Sequence, residues 1–235
     1  MVSIKSPLRK ILHPIRKNAI TIGNRLRYGQ GATYRPDKYW NDRLTQYGFD
    51  KRGVGNIAQS VEENNQVYTE ARNTFLAVCQ ESSVDFNQTR WLDIGCGTGF
   101  YASALQSAGV KDYTGVDITD TLMPELRRQY SDYHFEKLDV STQEIKGRYD
   151  AIIMIDVTQH IVDPEKFSYA MQNIHQHLNN GGIFVVTSWL DASARDSFYE
   201  KSRSQEAYQR EFPNEVFSQS RPFRDKHIFT IHKSI

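Results

Sequence analysis

The stretch LDIGCGTGF, residues 92–100, decides the fold that this chain of 235 residues is expected to adopt. A short apolar run passes directly into three glycines, and an amphipathic segment, FYASALQSAG, follows. This order is typical of a strand, a tight turn and a helix. Because glycine has no Cβ and a helix start presents free N–H groups, the turn predicts a close approach of the backbone to a nucleotide-like ligand.

The spacing of the glycines separates the known versions of such a turn. Gly95, Gly97 and Gly99 alternate, and Phe100 stands where a dinucleotide-binding G-x-G-x-x-G fingerprint needs its third glycine. The Gly-Lys-Ser or Gly-Lys-Thr ending of a phosphate loop is missing. Asp93, at the strand end, either accepts hydrogen bonds from the turn amides or takes a cationic ligand group. Since a carboxylate repels pyrophosphate and attracts ammonium, we expect a ligand that is positively charged near the turn.

Short apolar runs alternate with amphipathic stretches from Arg90 onward, which is typical of βαβ units joined in a parallel sheet. The predicted strands are 91–94, 113–118, 134–140, 149–157, 183–190, 215–223 and 227–235. The last two are too close for a helical crossover and are expected to pair antiparallel. Helices are predicted over 100–109, 121–130 and 164–178, and a charged helix over about 192–212.

The front part of the chain, residues 1–85, is predicted to be a segment of its own before the α/β domain, residues 86–235. Eight Lys or Arg and no Asp or Glu lie between Met1 and Arg35. This basic arm is interpreted as a tail or strap over the domain or, alternatively, as a weak contact with a membrane surface. Ser60 and Glu63 have the spacing of a capping box, which predicts a helix start there.

The composition excludes several classes of function. A net charge of +1, from 29 basic and 28 acidic residues, argues against a large nucleic-acid footprint, so no nucleic-acid partner is expected. Two cysteines give neither a disulfide framework nor a metal cluster. The sequence shows no apolar run long enough to cross a bilayer. It also shows no signal peptide, so a cytoplasmic location is expected.

The stretch LDIGCGTGF resembles motif I of the class I S-adenosylmethionine-dependent methyltransferases of the small-molecule type. The resemblance covers about residues 91–235 and implies a Rossmann-like, doubly wound, seven-stranded sheet with an antiparallel C-terminal strand pair and an N-terminal helical lid. It implies that Asp117, 22 residues after Gly95, accepts the cofactor's ribose hydroxyls and that Asp139 lies beside the adenine amino group. The segment IDVTQHI, residues 155–161, resembles the motif that flanks the cofactor's methionine part.

The full set of cofactor-binding residues follows from the same resemblance. It consists of Asp93, Gly95, Cys96, Gly97, Asp117, Ile118, Asp139, Val140, Ile155 and, for the cofactor's carboxylate, Arg52. S-adenosylmethionine is the expected cofactor and S-adenosylhomocysteine the expected product. No metal is predicted, because the acids that hold magnesium in catechol-type relatives are reduced to Asp191 in SWLDAS.

Methyl transfer from a sulfonium requires alignment and, for an oxygen acceptor, removal of a proton. His160 is the candidate base, with Asp156 four residues earlier as the group that orients its ring. The alternative is a structural His160 that supports the loop before Asp163. Tyr39 and Trp40 are expected to line the acceptor pocket or, alternatively, to brace the arm.

The expected reaction is transfer of a methyl group to an oxygen or nitrogen of a small polar metabolite, such as a sugar or a natural product. Motifs of base-modifying and arginine-modifying enzymes are missing: the place of an Asn-Pro-Pro-Tyr motif reads IDVTQ. Two alternatives remain, a protein or peptide methyltransferase and a non-catalytic module that only binds the cofactor.

Overall fold

The sheet at the centre of the protein has eight strands in the computed structural model, which describes residues 22–54 and 60–235. The strands are β1 (Arg90–Ile94), β2 (Asp112–Asp117), β3 (His134–Lys137), β4 (Tyr149–Met154), β5 (Leu178–Ser188), β6 (Val216–Phe217), β7 (Arg221–Phe223) and β8 (Lys226–His232). Their order is β3-β2-β1-β4-β5-β8-β6, with β7 also paired to β8. Strands β1 to β5 are parallel, and β8 is antiparallel to β5, β6 and β7. The predicted fold class is therefore confirmed.

Helices cover both faces of this sheet, which explains the unbroken apolar centre of β4. Its residues Ala151, Ile152, Ile153 and Met154 all have 0% exposure. The helices are α1 (22–28), α2 (Pro36–Tyr47), α3 (Lys51–Val54), α4 (Val61–Glu81), α5 (Phe100–Ser107), α6 (Met123–Gln129), α7 (Pro164–His177) and α8 (Gln205–Glu211).

Two helix starts follow from side chains that cap free backbone amides. The N–H of Glu63 donates to Ser60 Oγ at 3.2 Å and the N–H of Ser60 donates to Glu63 Oε2 at 2.8 Å, which confirms the capping box at α4. Asp163 accepts hydrogen bonds from the N–H groups of Glu165 and Lys166 and so begins α7. Pro164, the first residue of this helix, has no N–H that would need an acceptor.

Two predictions about the C-terminal part were wrong in detail. The charged helix over 192–212 is reduced to α8, because Ser202 Oγ donates to the carbonyl of Ala192 and accepts from the N–H of Arg195, which folds this stretch into turns. The predicted strand 215–223 is divided into β6 and β7. Between them, the N–H of Ser218 donates to the carbonyl of Thr230, and Ser218 Oγ accepts from the N–H of Thr230.

The front part of the chain packs into the same core as the sheet. Phe75 of α4 is fully buried, and its ring centroid lies 6.5 Å from Trp91 of β1 and 4.9 Å from Tyr101 of α5. The division between residues 1–85 and 86–235 stays a prediction. The predicted arm falls largely on residues 1–21, which lie outside the described residues.

Over residues 22–54 and 60–235, no helix combines the length and the apolarity that a membrane span requires. The cytoplasmic location stays a prediction.

The contact between α4 and the sheet can be tested with Phe75→Ala. Removing this buried ring should lower the free energy of unfolding by about 3–5 kcal/mol, since a cavity remains between Trp91 and Tyr101. Urea unfolding followed by far-UV circular dichroism measures the change. Leu26→Ala, at a side chain 84% exposed, is the control and should leave the unfolding free energy unchanged. If Phe75→Ala lowers the free energy of unfolding as little as the control does, α4 does not share the core of the sheet.

Candidate functional site

The glycine turn after β1 has the left-handed backbone that its residues predict. Gly95, Gly97 and Gly99 have φ values of 78°, 50° and 75°. A Cβ on Gly95 would lie 2.3 Å from Val157 Cγ2, so this position also has no room for a side chain. The N–H groups of Gly95 and Cys96 both donate to the carbonyl of Val116, at 2.7 and 3.0 Å, which fixes the turn against the end of β2.

Asp117 ends β2 beside this turn. Its Oδ2 accepts from the N–H of Gly97 at 3.0 Å, and its Oδ1 accepts from the N–H and the hydroxyl of Thr119 at 3.0 and 3.3 Å. Burial raises the pKa of Asp117, and these hydrogen bonds oppose that rise. A carboxylate offers about four lone-pair sites, so Oδ2 keeps acceptor capacity toward a ligand hydroxyl.

Asp93 lies beneath the turn rather than in it. Its carboxylate is 2% exposed and accepts from the hydroxyl of Tyr113 at 2.7 Å. Burial raises the pKa of Asp93 to about 7, against the lowering effect of the Tyr113 hydroxyl. The expectation that Asp93 receives the turn amides was wrong, because Val116 and Asp117 accept them. Asp93 supports the turn from below and is not among the described residues that line the cavity.

A cavity of about 1200 Å³, including its open mouth, lies at the carboxyl ends of the parallel strands. The predicted site residues that line it are Trp40, Gly95, Cys96, Gly97, Asp117, Ile118, Asp139, Val140, Ile155, Asp156 and His160. The side chain of Arg52 lies outside the described residues. Residues far apart in sequence are thus brought to one edge of the sheet, as expected for ligand sites in open α/β sheets.

The charge of the lining differs from that of the whole chain. Among the described residues of the lining, the acidic ones are Asp117, Asp139, Asp156 and Asp163, and the basic ones are Lys166 and Arg224. Within that described part, acids therefore outnumber bases although the whole chain has a net charge of +1. This excess suits a ligand with net positive charge, as predicted from the turn.

Asp139 and Cys96 have local roles in the cavity wall. Asp139 Oδ1 accepts from the N–H and the hydroxyl of Ser141, at 3.0 and 2.6 Å, which fixes the carboxylate at the cavity edge. Burial raises the pKa of the Cys96 thiol well above its usual range, so Cys96 stays protonated and serves as a small wall residue.

His160 has a defined orientation and tautomer. Its Nδ1 lies 2.9 Å from the carbonyl of Tyr199, and because a carbonyl only accepts, Nδ1 carries the proton and Nε2 keeps a lone pair in the neutral ring. The amide nitrogen of Gln159 lies 3.4 Å from Nε2. Burial lowers the pKa of His160 to about 4, so the ring is neutral at neutral pH. The prediction that Asp156 orients this ring was wrong, since Tyr199 does so.

Asp156 instead forms an ion pair at the end of β4. Arg224 Nη1 donates to Asp156 Oδ2, and Lys226 Nζ lies 3.0 Å from Oδ1. The backbone of Asp156 has φ 60°, and its N–H donates to Thr187 Oγ1 at 2.8 Å. The carboxylate is therefore fixed by cations and by the neighbouring strand β5.

The aromatic residues of α2 have different places. Trp40 lines the cavity and contacts His160 edge-on, with ring centroids 4.9 Å apart. Tyr39 lies behind it in an aromatic cluster that joins the front segment to the loop after β5. The members of this cluster are Tyr28, Tyr34, Tyr39, Phe198 and Tyr199. Of the two predicted pocket residues, the cavity lining thus includes Trp40 and not Tyr39.

Two further lining residues, Arg224 and Tyr68, were missed in the sequence. Arg224 occupies the turn between β7 and β8, and its guanidinium carbon lies 4.7 Å from the centroid of the Tyr68 ring on α4. The signal for Arg224 is the short connection in RPFRDKH, which places a basic turn residue at the sheet edge. For Tyr68 the helical period gives no signal beyond burial.

Comparison with known proteins assigns the chain to a family. It belongs to the methyltransferase-domain family, whose model matches residues 60–226. This confirms the class I S-adenosylmethionine-dependent methyltransferase predicted from the motifs, together with the cofactor of that family. Among residues 22–54 and 60–235, no group of three or more His, Cys, Asp or Glu could hold a metal ion. The absence of a metal stays a prediction.

Individual relatives are distant. The chain is 26% identical over 108 residues to a ubiquinone biosynthesis O-methyltransferase of Rickettsia typhi, covering 44% of this chain and 42% of that one. It spans about half the length of the curated relatives it matches. Magnesium protoporphyrin IX methyltransferase from Synechocystis PCC 6803 with bound S-adenosylmethionine has the same fold, with a TM-score of 0.66, 15% identity, and coverage of 87% of this chain and 100% of that one. For N-methyltransferase NodS from Bradyrhizobium japonicum WM9 the TM-score is 0.61, the identity 16% and the coverage 73% and 98%.

The half-buried, neutral ring of His160 predicts its titration. The pKa of His160 in the folded protein should lie near 4, below the ordinary value of 6.5 for histidine. Because the unfolded chain binds this proton more readily, His160 should contribute stability above about pH 6.5 that is lost as the pH falls toward 4. NMR titration of the imidazole, assigned with His160→Gln, measures it directly. A midpoint at or above 6 would contradict the burial of the ring.

Proposed function

We propose that the protein transfers a methyl group from S-adenosylmethionine to an oxygen or nitrogen of a small polar metabolite, such as a sugar or a natural product. The observation that carries this proposal is the acidic cavity at the ends of β1, β2 and β4, with a glycine turn at its base. A cofactor with a sulfonium and an ammonium group and one carboxylate has a net positive charge, which fits the excess of carboxylates.

The residues present fit this cofactor. Asp117 would accept the ribose hydroxyls with the free capacity of Oδ2, and Asp139, Ile118 and Val140 would surround the adenine. Val157 packs against Gly95 and Val54 lies beside Gly97, so these side chains would border the rest of the cofactor as it follows the turn toward Asp156. When bound, the cofactor supplies an activated methyl group for direct displacement.

The task of the chain's own residues is to orient the acceptor and to exclude water. The lone pair on His160 Nε2 can accept a hydrogen bond from a hydroxyl or amine of the acceptor. A pKa near 4 makes this ring a weaker base than an ordinary histidine, so its main contribution is orientation, with proton removal a smaller one. Trp40 covers the ring on one side and keeps it from bulk water.

The relatives support a small acceptor and both classes of acceptor atom. One is named an O-methyltransferase of ubiquinone biosynthesis and another an N-methyltransferase. Neither a protein acceptor nor a purely binding role is favoured by a feature of the described residues.

Asp117→Asn tests the cofactor site. The substitution should weaken binding of S-adenosylhomocysteine by at least about tenfold, because a charge-assisted hydrogen bond to the ribose is lost. Isothermal titration calorimetry measures the affinity. Asp112→Asn, at the opposite end of the same strand, is the matched control and should bind as the wild type does. Equal affinities for both variants would remove Asp117 from the site.

The reaction itself is tested with methyl-labelled cofactor and a fractionated cell extract. Label in small metabolites is the expected outcome, and label in protein only, or binding without transfer, would contradict the proposal. With the acceptor in hand, His160→Gln should lower kcat while the affinity for S-adenosylhomocysteine is kept. Unchanged kcat would leave His160 a structural residue.

A further inference from the structure

The turn between β7 and β8 carries a basic residue into the cavity. Strand β8 is antiparallel to β5, with Ser188 opposite His227, so this turn lies at the same edge where the parallel strands end. Arg224 occupies the turn and lines the cavity. The hairpin of β7 and β8 thus places a guanidinium at the sheet edge where the predicted cofactor residues lie.

The guanidinium of Arg224 is fixed on two sides. It donates to Asp156 Oδ2, and it lies 4.7 Å from the centroid of the Tyr68 ring. The side chains of Arg224 and Asp156 are 15% and 18% exposed, so the pair is largely shielded from water but still reaches the cavity. A guanidinium has several N–H donors in a planar fork, so its bonds to Asp156 and to the Tyr68 side chain leave donors for another carboxylate.

Asp156 has a second cation beside it, Lys226, which also contacts the carboxylate of Asp225. Lys226 Nζ lies 3.0 Å from Asp156 Oδ1 and is 2.9 Å from Asp225 Oδ1. Lys226 also lies 4.4 Å from the centroid of the Trp189 ring, and the Trp189 indole N–H donates to Asp225. These contacts hold Lys226 in place independently of Arg224.

Both partners of the ion pair have an unfavourable backbone. Asp156 has φ 60° and Arg224 has φ 57°, in the left-handed region that favours glycine. Residues held in this region cost free energy and cluster at ligand sites, where the surrounding structure imposes them. Arg224 adopts this conformation in the two-residue turn between β7 and β8 and Asp156 two residues after β4, so the backbone fixes both ends of the ion pair.

We propose that Arg224 selects the acceptor by binding a carboxylate of the acceptor molecule, while Lys226 holds Asp156. This inference rests on the proposed methyl transfer. Tyr68 contacts Arg224, Phe100 contacts Tyr68, and Trp40 lines the same cavity, so aromatic walls suit the flat body of such an acceptor.

The sheet order separates Arg224 from the ribose end of the cofactor. Asp117, the proposed ribose partner, follows β2, and strands β1, β4 and β5 lie between β2 and β8. Arg224 therefore extends from the opposite side of the cavity. Its aromatic partner Tyr68 belongs to α4, in the front segment that was predicted to form the lid and the acceptor pocket.

The experiment uses the full chain saturated with S-adenosylhomocysteine, titrated with benzoate and, separately, with benzamide. The two probes have the same ring, and only benzoate carries a carboxylate. Wild type should bind benzoate more tightly than benzamide, and Arg224→Gln should weaken benzoate by about tenfold while benzamide is unchanged. Arg221→Gln, at an exposed arginine of the same hairpin paired to Glu81, is the matched control. Arg224→Lys keeps the charge without the fork and should lie between wild type and Arg224→Gln.

The outcomes separate this proposal from the one beneath it. Loss of S-adenosylhomocysteine affinity in Arg224→Gln would assign Arg224 to the cofactor and overturn the inference, as would equal binding of benzoate and benzamide to the wild type. Failure of the wild type to bind S-adenosylhomocysteine would overturn the proposed function instead. If Arg224→Gln does not fold, thermal unfolding reveals it and Arg224→Lys gives the answer: benzoate affinity equal to wild type would overturn the inference.

Discussion

The site depends on the hydrogen bonds that join the end of β1 to the end of β2. The carbonyl of Val116 accepts two turn amides and Asp117 accepts a third, so the glycine turn cannot move without breaking the end of its neighbour strand. The same bonds orient the Asp117 carboxylate toward the cavity. Because each amide has a partner in the protein, the turn is formed before any ligand arrives, and binding need not order it.

The resemblance of LDIGCGTGF to motif I, together with the order of the strands, predicted the parts of the site that follow local patterns. The glycines, Asp117, Asp139 and the IDVTQHI segment follow strands that are recognisable by their apolar runs, and parallel strands bring their carboxyl ends to one edge. The capping residues Ser60 and Asp163 were predictable for the same reason, since a cap acts within one helical turn.

The parts that were missed depend on contacts between distant residues. Asp93 was expected at the turn, but Tyr113 on the adjacent strand binds its carboxylate, and periodicity cannot reveal such a partner. His160 and Asp156 are four residues apart, yet Tyr199 and Arg224 determine their orientations from 39 and 68 residues away. The charged stretch 192–212 reads as a helix from composition, whereas bonds from Ser202 fold most of it into turns.

The left-handed backbone of Asp156 sets backbone strain against a shielded ion pair at one position. Glycine would adopt φ 60° without the steric cost, so replacement there would relieve strain in the fold. It would also remove the anion that holds Arg224, leaving the guanidinium without its charged partner in a largely shielded place. The loss of a largely shielded ion pair, about 3–5 kcal/mol, exceeds the strain of about 1–3 kcal/mol that glycine would relieve, so the aspartate keeps both the fold stable and the pocket charged.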